Sequence, residues 1–344
     1  MKKKTKKIIF LSSITFVVVS LVSTLWTLQE LVFARNSKGI KPTDEDIKYL
    51  HEHGLVYDHV IIFGVDGAGG YFPNVDTPHF DRIFDGGSVT YTGMSQWHTE
   101  SAQNWTSMIH GVKCQTHGFE NSNVDDQPYT DSRYPSFFKE YASHHEGAKM
   151  AAINDWEFIN KGIIENDIPG LTKIDAGRYC EEERQGLDWV ESEKVIDRVV
   201  SEMVINEIET SNPSIIFMHF DTVDSSGHTC GSSSQQYKDG IQYVDQLMGN
   251  IYDAAINQGW HDNTLFIAVT DHGHKPNGGH GWNQPIVRHT TLAVNGHKGN
   301  IIAGEAGYYV THDLASVVMY ALGEKQPSSW EGGVPDNIFK NLTK

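Results

Sequence analysis

Cysteine, positive charge and long apolar runs are all scarce in this chain of 344 residues. The three cysteines are Cys114, Cys180 and Cys230. So small an odd number excludes a disulfide framework: three free thiols are expected, and Cys114–Cys230 is the favoured pair if one bridge forms. The formal charge of −17 argues against a nucleic-acid duplex or an anionic membrane surface as a partner.

The one long apolar run lies near the N-terminus. Lysines precede an uncharged segment from Ile8 to Gln29, which is typical of an export signal. Small residues favour cleavage after Ala34, but residues 8–29 are also long enough to stay as a membrane anchor. Residues 1–34 are therefore predicted to be a signal peptide or an N-terminal membrane anchor, with cleavage slightly favoured. Both alternatives predict an extracellular or cell-surface protein.

Apolar runs alternate with helical patterns along the rest of the chain. Strands are predicted within 57–66, 149–153, 215–220, 265–269 and 291–294, and helices within 78–84, 101–109, 136–143, 192–210, 237–256 and 314–322. This alternation predicts an α/β fold with a mostly parallel sheet and helices on both faces. Residues 35–54 are predicted to be a linker with room for one short helix, and residues 55–344 a single domain.

Acidic residues follow three of the predicted strands. Asp66 follows the first, Asp221 and Asp224 follow another, and Asp271 with His272 follows a third. Functional groups gather at the carboxyl ends of strands in parallel α/β sheets. One carboxylate after a strand is common, because helix N-caps also use aspartate. Three such ends indicate a shared site.

Two histidines extend this set. His228 lies four residues after Asp224, and His280 lies in a glycine-rich loop. Asp221 has no such histidine, so Asp224 is the favoured ligand. Three aspartates and three histidines suffice for two divalent ions, and Zn²⁺ is the expected metal for these donors. Paired divalent ions form a standard clamp for displacement at phosphorus. A loop rich in histidine by chance is the alternative.

Six segments carry a resemblance to a known family. They are FGVDG (63–67), TPHFDRIFDGG (77–87), the segment 101–118, VDSSGH (223–228), TDHGH (270–274) and GGHG (278–281). In this order the chain resembles the alkaline phosphatase superfamily, and within it the type I phosphodiesterase/nucleotide pyrophosphatase branch. The resemblance implies an alkaline phosphatase-like fold and two metal sites. Their ligands would be Asp224, His228 and His280 for one metal, and Asp66, Asp271 and His272 for the other.

The resemblance also implies a nucleophile bound at the second metal. Ser101 has the family's spacings to an asparagine, a glycine and a His-Gly pair, whereas Thr106 has none of them. A serine at a helix N-terminus would also face an anion favourably, although a plain N-cap serine is the alternative. The family's phosphate-binding asparagine would fall on Ser122, so either flanking residue, Asn121 or Asn123, would serve instead.

Together these features predict an exported two-metal hydrolase that cleaves phosphate esters through a phosphoseryl intermediate. A small-molecule phosphodiester or nucleotide pyrophosphate is the expected substrate, because no arginine lies near Ser101 in the sequence. The alternatives are a phosphomonoesterase and a phosphoethanolamine-type transferase. A sulfatase is disfavoured because the residues after Ser101 lack the required proline and arginine. A non-enzymatic zinc-binding protein would need no serine.

Overall fold

The computed structural model describes residues 39–125, 129–281 and 283–342. The predicted signal peptide or anchor, 1–34, lies outside the described residues. From Gly39 onward the chain is one compact unit. No helix within the described ranges combines the length and the apolar character that crossing a membrane requires.

Eight strands form one sheet. They are β1 (His59–Val65), β2 (Ser88–Met94), β3 (Met150–Asn154), β4 (Leu171–Asp175), β5 (Ile215–Phe220), β6 (Thr264–Val269), β7 (His289–Gly296) and β8 (Gly304–Glu305). Their spatial order is β4-β3-β5-β1-β6-β7-β2-β8. The first five of these are mutually parallel, and β7 is antiparallel to both β6 and β2. The prediction of a mostly parallel sheet is confirmed.

Ten α-helices accompany the sheet within the described residues. They are α1 (Asp44–Glu52), α2 (Pro78–Phe84), α3 (Ser101–His110), α4 (Cys114–His117), α5 (Phe137–His144), α6 (Trp189–Thr210), α7 (Thr222–Cys230), α8 (Gln235–Asn257), α9 (Pro285–Arg288) and α10 (Leu314–Ala321). Single 3-10 turns lie at Phe72–Asn74, Ala176–Tyr179, His261–Asn263 and Thr311–Asp313, and a π turn lies at Ile159–Ile163.

The helices cover both faces of the sheet, as predicted. Successive residues of the central strand β1 point to opposite faces, so Val60 belongs to one apolar cluster and Ile61 to the other. The first cluster receives α3, α5 and α10, and the second receives α2, α6 and α8. Because β1 is buried along its whole length, its sequence is a continuous apolar run rather than an alternating one.

Three strands and three helices were missing from the sequence prediction, and two of these helices, α4 and α9, have only four residues each. Strand β4 lies at the sheet edge and is only partly buried, and β2 mixes threonine and glycine with apolar residues. Neither strand therefore shows the apolar run of a central strand, and β8 has only two residues. The segment after β5 was predicted as a turn, but it is helix α7. Asp224 and His228 consequently lie one helical turn apart on the same face.

The described part of the predicted linker, 35–54, contains α1. Thr43 and Asp46 form a capping box at its start, and Leu50 is buried in the first apolar cluster. Ile40 also pairs with Val334 through backbone hydrogen bonds. This segment is packed against the rest of the compact unit, while the domain boundaries at 34 and 54 stay predictions. All three cysteines are free thiols, as expected.

Candidate active site

A cavity of about 480 Å³ opens where the carboxyl ends of β1 and β5 meet the first turn of α3. Five of the sequence-predicted metal or nucleophile residues line it: Asp66, Ser101, Asp224, His228 and His280. Asp271 and His272 are fully buried directly behind this wall. The parallel order of β5, β1 and β6 explains the convergence, because the carboxyl ends of these strands lie at one sheet edge.

Ser101 is the first residue of α3 and is almost completely buried. Its Oγ donates to Asp66 Oδ1 over 3.4 Å and lies 3.3 Å from His272 Nε2. The helix N-terminus beneath it favours an anion, because backbone N–H groups and the positive end of the helix dipole face outward there. The serine hydroxyl is therefore placed between predicted metal ligands and a site suited to phosphate.

Hydrogen bonds fix one of the two carboxylate oxygens of Asp66. Trp105 Nε1 and His219 Nε2 both donate to Oδ2 at 2.9 Å, which leaves Oδ1 facing Ser101. Burial alone would raise the pKa of Asp66, but the hydrogen bond from His219 and the nearby His272 hold that pKa below its usual range. Asp66 therefore presents an ionised, oriented oxygen to the centre.

Asp271 shows the same arrangement with backbone donors. Its Oδ1 accepts from the N–H groups of Gly67 and His272, at 3.0 and 2.8 Å. Its Oδ2 is buried without a hydrogen-bond partner and lies 3.2 Å from His272 Nε2. One ligand atom each from Asp66, Asp271 and His272 lies within 4.8 Å of the others. The second predicted metal set is thus assembled around one point.

Asp224 belongs to the other predicted set of metal ligands. His274 Nε2 donates to Asp224 Oδ1 at 2.7 Å, and Asp224 Oδ2 lies 3.3 Å from His228 Nε2. His280 completes the group, because its Nε2 is 3.0 Å from His228 Nε2. The Nδ1–H of His280 donates to Thr99 O at 2.6 Å, which leaves Nε2 as the free lone pair.

Glycines bring these parts close together. Gly67 has φ +68°, and a Cβ there would lie 2.7 Å from Asp224 Cα. Only glycine allows the end of β1 to approach α7 so closely with this backbone conformation. The sequence motif FGVDG therefore joins the two predicted ligand sets through Gly67.

The buried carboxylates fit a metal centre. Burial and the neighbouring charge of Asp66 raise the pKa of Asp224 to about 7 and the pKa of Asp271 well above its usual range. Each of the three aspartates has one oxygen fixed by donors and another facing the centre, next to histidine ring nitrogens. Such a set of carboxylate and imidazole donors, with outer partners that orient them, suits zinc.

The structure separates the two asparagines proposed for phosphate binding. Asn121 lines the cavity, and its Oδ1 accepts from the N–H of Ala102 at 2.8 Å. Asn123 instead closes a turn outside the cavity, accepting from Glu120 N and donating to Gly118 O. Asn121 is therefore the asparagine that lies beside Ser101.

Arginines are nearer than the sequence suggested. Arg178 and Arg184 both line the cavity, although no arginine is close to Ser101 along the chain. The folding of β4 and of the segment after it brings them in. The diester preference that was drawn from the absence of a nearby guanidinium is not supported by this geometry.

Sequence reasoning gave no role to three partners of the predicted ligands. Trp105 and His219 hold Asp66, and His274 holds Asp224. His219 is a histidine inside an otherwise apolar buried strand, and such a group needs a hydrogen-bond partner. This pattern could have identified His219 from the sequence. His274 lies in the TDHGH segment but was not distinguished from the ligands before it.

Comparison with known proteins agrees with this site. The family model for type I phosphodiesterase / nucleotide pyrophosphatase matches residues 60–325. The chain belongs to this family. The match of this phosphodiesterase family includes every predicted ligand and Ser101.

Curated relatives of this chain carry another name. GPI ethanolamine phosphate transferase 1 of Yarrowia lipolytica is 24% identical over 283 residues, covering 71% of this chain and 28% of the relative. The Saccharomyces cerevisiae protein of the same name is 30% identical over 140 residues, covering 36% of this chain and 15% of the relative. The chain thus spans only a minor part of the relatives it matches.

Solved structures show the same fold. The lipoteichoic acid synthase LtaP of Listeria monocytogenes superposes with a TM-score of 0.60 at 13% identity, covering 83% of this chain and 77% of that one. Murine ectonucleotide pyrophosphatase / phosphodiesterase 5 also gives 0.60 at 13% identity, covering 82% of this chain and all of the other. The alkaline phosphatase-like fold is therefore confirmed.

Proposed function

We propose that this chain is a metal-dependent phosphoesterase with Ser101 as the nucleophile, and that it acts on phosphodiesters because its family is one of phosphodiesterases. The observation that carries the proposal is the arrangement of Asp66, Asp224 and Asp271. Each has one fixed oxygen and one oxygen facing a centre that the serine hydroxyl adjoins. A purely structural polar cluster would not require a serine at a helix N-terminus in front of it.

Two groups of side chains would hold the metal ions. They are Asp66, Asp271 and His272 beside Ser101, and Asp224, His228 and His280 on the other side. Bound zinc would lower the pKa of the serine hydroxyl and neutralise charge on the phosphate oxygens. His280 is oriented for this by its bond to Thr99 O, and Asp66 by Trp105 and His219.

Ser101 would carry the transferred group. Its Oγ releases its proton to solvent and bonds to phosphorus, while the bond from phosphorus to the leaving oxygen breaks and that oxygen takes up a proton to leave as the alcohol. The N-terminus of α3 attracts the phosphate, and Asn121 lies where its amide can contact a phosphate oxygen. Water then attacks phosphorus, and the bond to Oγ breaks, which restores the serine.

A transferase is the second candidate, and the names of the relatives favour it. In that case an acceptor alcohol takes the place of water, and ethanolamine phosphate is the group transferred. The hydrolase and the transferase share every residue of the site and differ only in the second nucleophile.

We also propose that the catalytic unit acts outside the cytoplasm, because of the apolar segment within residues 1–34.

The first experiment compares esters with the purified full chain. Bis-p-nitrophenyl phosphate should be hydrolysed faster than p-nitrophenyl phosphate, and p-nitrophenyl sulfate should be the poorest substrate. Chelation should abolish turnover and zinc should restore it. Ser101→Ala should lower kcat by roughly a thousand-fold or more. The matched control is Ser107→Ala on the same helix, whose hydroxyl contacts His117 outside the cavity. Activity that survives chelation or the Ser101 change would contradict the proposal.

The second experiment decides between water and alcohol. The enzyme is incubated with p-nitrophenyl 2-aminoethyl phosphate and increasing glycerol, and the products are resolved by ³¹P NMR. Hydrolysis predicts the monoester 2-aminoethyl phosphate as the main product at every glycerol concentration. A glycerol diester that dominates at low glycerol would instead establish the transferase.

A further inference from the structure

The cavity continues beyond Ser101 to a wall of three carboxylates. Asp155 follows β3, Asp221 follows β5, and Glu193 lies on α6. One oxygen atom from each of them lies within 4.8 Å of the others, and all three line the cavity. None of them belongs to the two proposed metal sets. We refer to these residues as the carboxylate trio.

The trio lacks a balancing cation. In the described parts of the chain no lysine or arginine forms an ion pair with any of the three. Arg178 pairs with Glu157 and Asp175 instead, and Arg184 lines the same cavity with its Nε buried and without a hydrogen-bond partner. Asp155 Oδ2 has almost no solvent exposure and no hydrogen-bond partner. Burial, together with the charges of Asp197 and Asp221, raises the pKa of Asp155 well above its usual range. A bound cation would relieve this repulsion.

The trio is also close to the reacting hydroxyl. Ligand atoms of Asp221 and Asp66 lie within 4.8 Å of one another in a group with His219. Asp66 Oδ1 is in turn 3.4 Å from Ser101 Oγ. Asp66 therefore lies between the trio and Ser101 in one cavity, so a molecule whose phosphorus lies at Ser101 can extend a cationic group towards the trio.

Aromatic groups favour an organic cation. Trp156 and Trp189 line the same cavity; Trp189 turns the Nε1–H edge of its ring to Glu193 Oε1 at 2.8 Å and stacks on His228, so the ring of Trp156 is the one considered for a cation. Indole faces attract ammonium groups, and a primary ammonium has three N–H donors to share among carboxylates. A divalent cation would also accept carboxylate ligands, but it would gain nothing from the indole of Trp156.

We propose that the carboxylate trio binds the primary ammonium group of an aminoalkyl phosphate ester whose phosphorus lies at Ser101. Ethanolamine phosphate esters are the smallest members of this substrate class. The inference rests on the proposed function, because it needs a phosphate ester at Ser101. The inference adds to that function the side chains of the enzyme that would select which ester is bound.

Binding is tested first, with two ligands of the same shape. O-phosphoethanolamine carries an ammonium group at the position where n-propyl phosphate carries a methyl group. In zinc-loaded Ser101→Ala protein, we expect calorimetry to show the amine binding roughly ten-fold more tightly or better. Adding Asp155→Asn or Glu193→Gln should bring the two Kd values together. Equal Kd values before the trio is changed would overturn the inference.

The matched control lies on the same helix. Glu191 is exposed and paired with Lys194 rather than facing the cavity, so Glu191→Gln should keep the preference for the amine. Metal analysis accompanies each variant. Loss of one bound ion per chain in Asp155→Asn and Glu193→Gln would assign the trio to a metal and refute the ammonium site. Thermal melting checks that each variant is folded.

Turnover separates this inference from the proposed function. The wild-type chain is assayed with p-nitrophenyl 2-aminoethyl phosphate and p-nitrophenyl n-propyl phosphate. A higher kcat/KM for the amine, which Glu193→Gln reduces towards parity, supports the ammonium site. Equal values for the two esters contradict the ammonium site but leave the phosphoesterase in place. Turnover of neither ester contradicts the phosphoesterase itself.

Discussion

Replacing Gly227 by alanine should disturb one half of the candidate metal centre without changing any ligand. Gly227 lies on α7 between Asp224 and His228. A Cβ at this position would come within 2.5 Å of His274 Cγ and 2.6 Å of its Nε2. The His274 ring is fully buried and donates to Asp224 Oδ1 at 2.7 Å. The added methyl group must therefore displace either this ring or α7.

Opposing effects set the size of the change in stability. Alanine gains up to about 1 kcal/mol over glycine inside a helix. Overpacking of a close-packed interior costs about 1–3 kcal/mol, and a strained hydrogen bond to a carboxylate costs about 1.5–3 kcal/mol when it is lost completely. We therefore expect Gly227→Ala to lower the free energy of unfolding of the metal-free protein by about 1–3 kcal/mol in net terms.

Metal affinity should fall as well, because the moved His274 no longer orients Asp224. Loss of an outer-shell partner typically weakens metal binding by about 10–100-fold. Competition against a chromophoric zinc chelator measures this effect, and urea denaturation of the metal-free protein measures stability. Both readouts are independent of catalytic activity.

Gly240→Ala on α8 is the matched control. Its Cβ would meet Ser226 Oγ at 3.2 Å, the flexible end of a small side chain, so it should be neutral or slightly stabilising. If Gly227→Ala binds zinc as tightly as the wild type and unfolds like Gly240→Ala, the role given to His274 is wrong.

Three shorter predictions follow from other contacts. His280→Ala should remove close to half of the bound zinc in metal analysis, because it takes one ligand from one predicted set only; loss of all the metal would contradict two separate sets. Trp105→Phe removes one donor from Asp66 Oδ2 and should lower the free energy of unfolding by about 1.5–3 kcal/mol in urea denaturation, while unchanged stability would show that His219 suffices. Burial lowers the pKa of His117 to about 3, below the unfolded value, so stability should fall as pH drops below about 6.5, by up to about 1.4 kcal/mol per pH unit. Metal-free His117→Ala should show a shallower pH slope between pH 6 and 4, and an unchanged slope would refute the assignment.

The central strands were predictable because they are buried on both sides. The buried sequence of β1 or β6 needs no knowledge of its neighbours to be recognised as a strand. Edge strand β4 could not be recognised in this way, because its residues are only partly buried and Thr172 is exposed. Its contribution to the cavity, through the arginines that follow it, was invisible for the same reason.

The candidate ligands were predictable from local spacing, but their partners were not. Asp224 and His228 are four residues apart, whereas Asp224 and His274 meet across fifty residues of chain. Trp105 and Asp66 likewise meet only after β1 and α3 pack together. Spacing within a motif records contacts inside one turn of helix or loop. Contacts between motifs depend on sheet order, which the sequence alone did not supply.

The way the three aspartates are anchored bears on when metal enters the protein. Indole, imidazole and backbone N–H groups already orient Asp66, Asp224 and Asp271 without any ion. Metal binding then requires little rearrangement, unlike in small zinc domains that fold only around their metal. Under the proposed function, the chain would complete folding first and acquire its metal afterwards. Metal supply would then limit how much of the proposed enzyme is active, but not how much of it is folded.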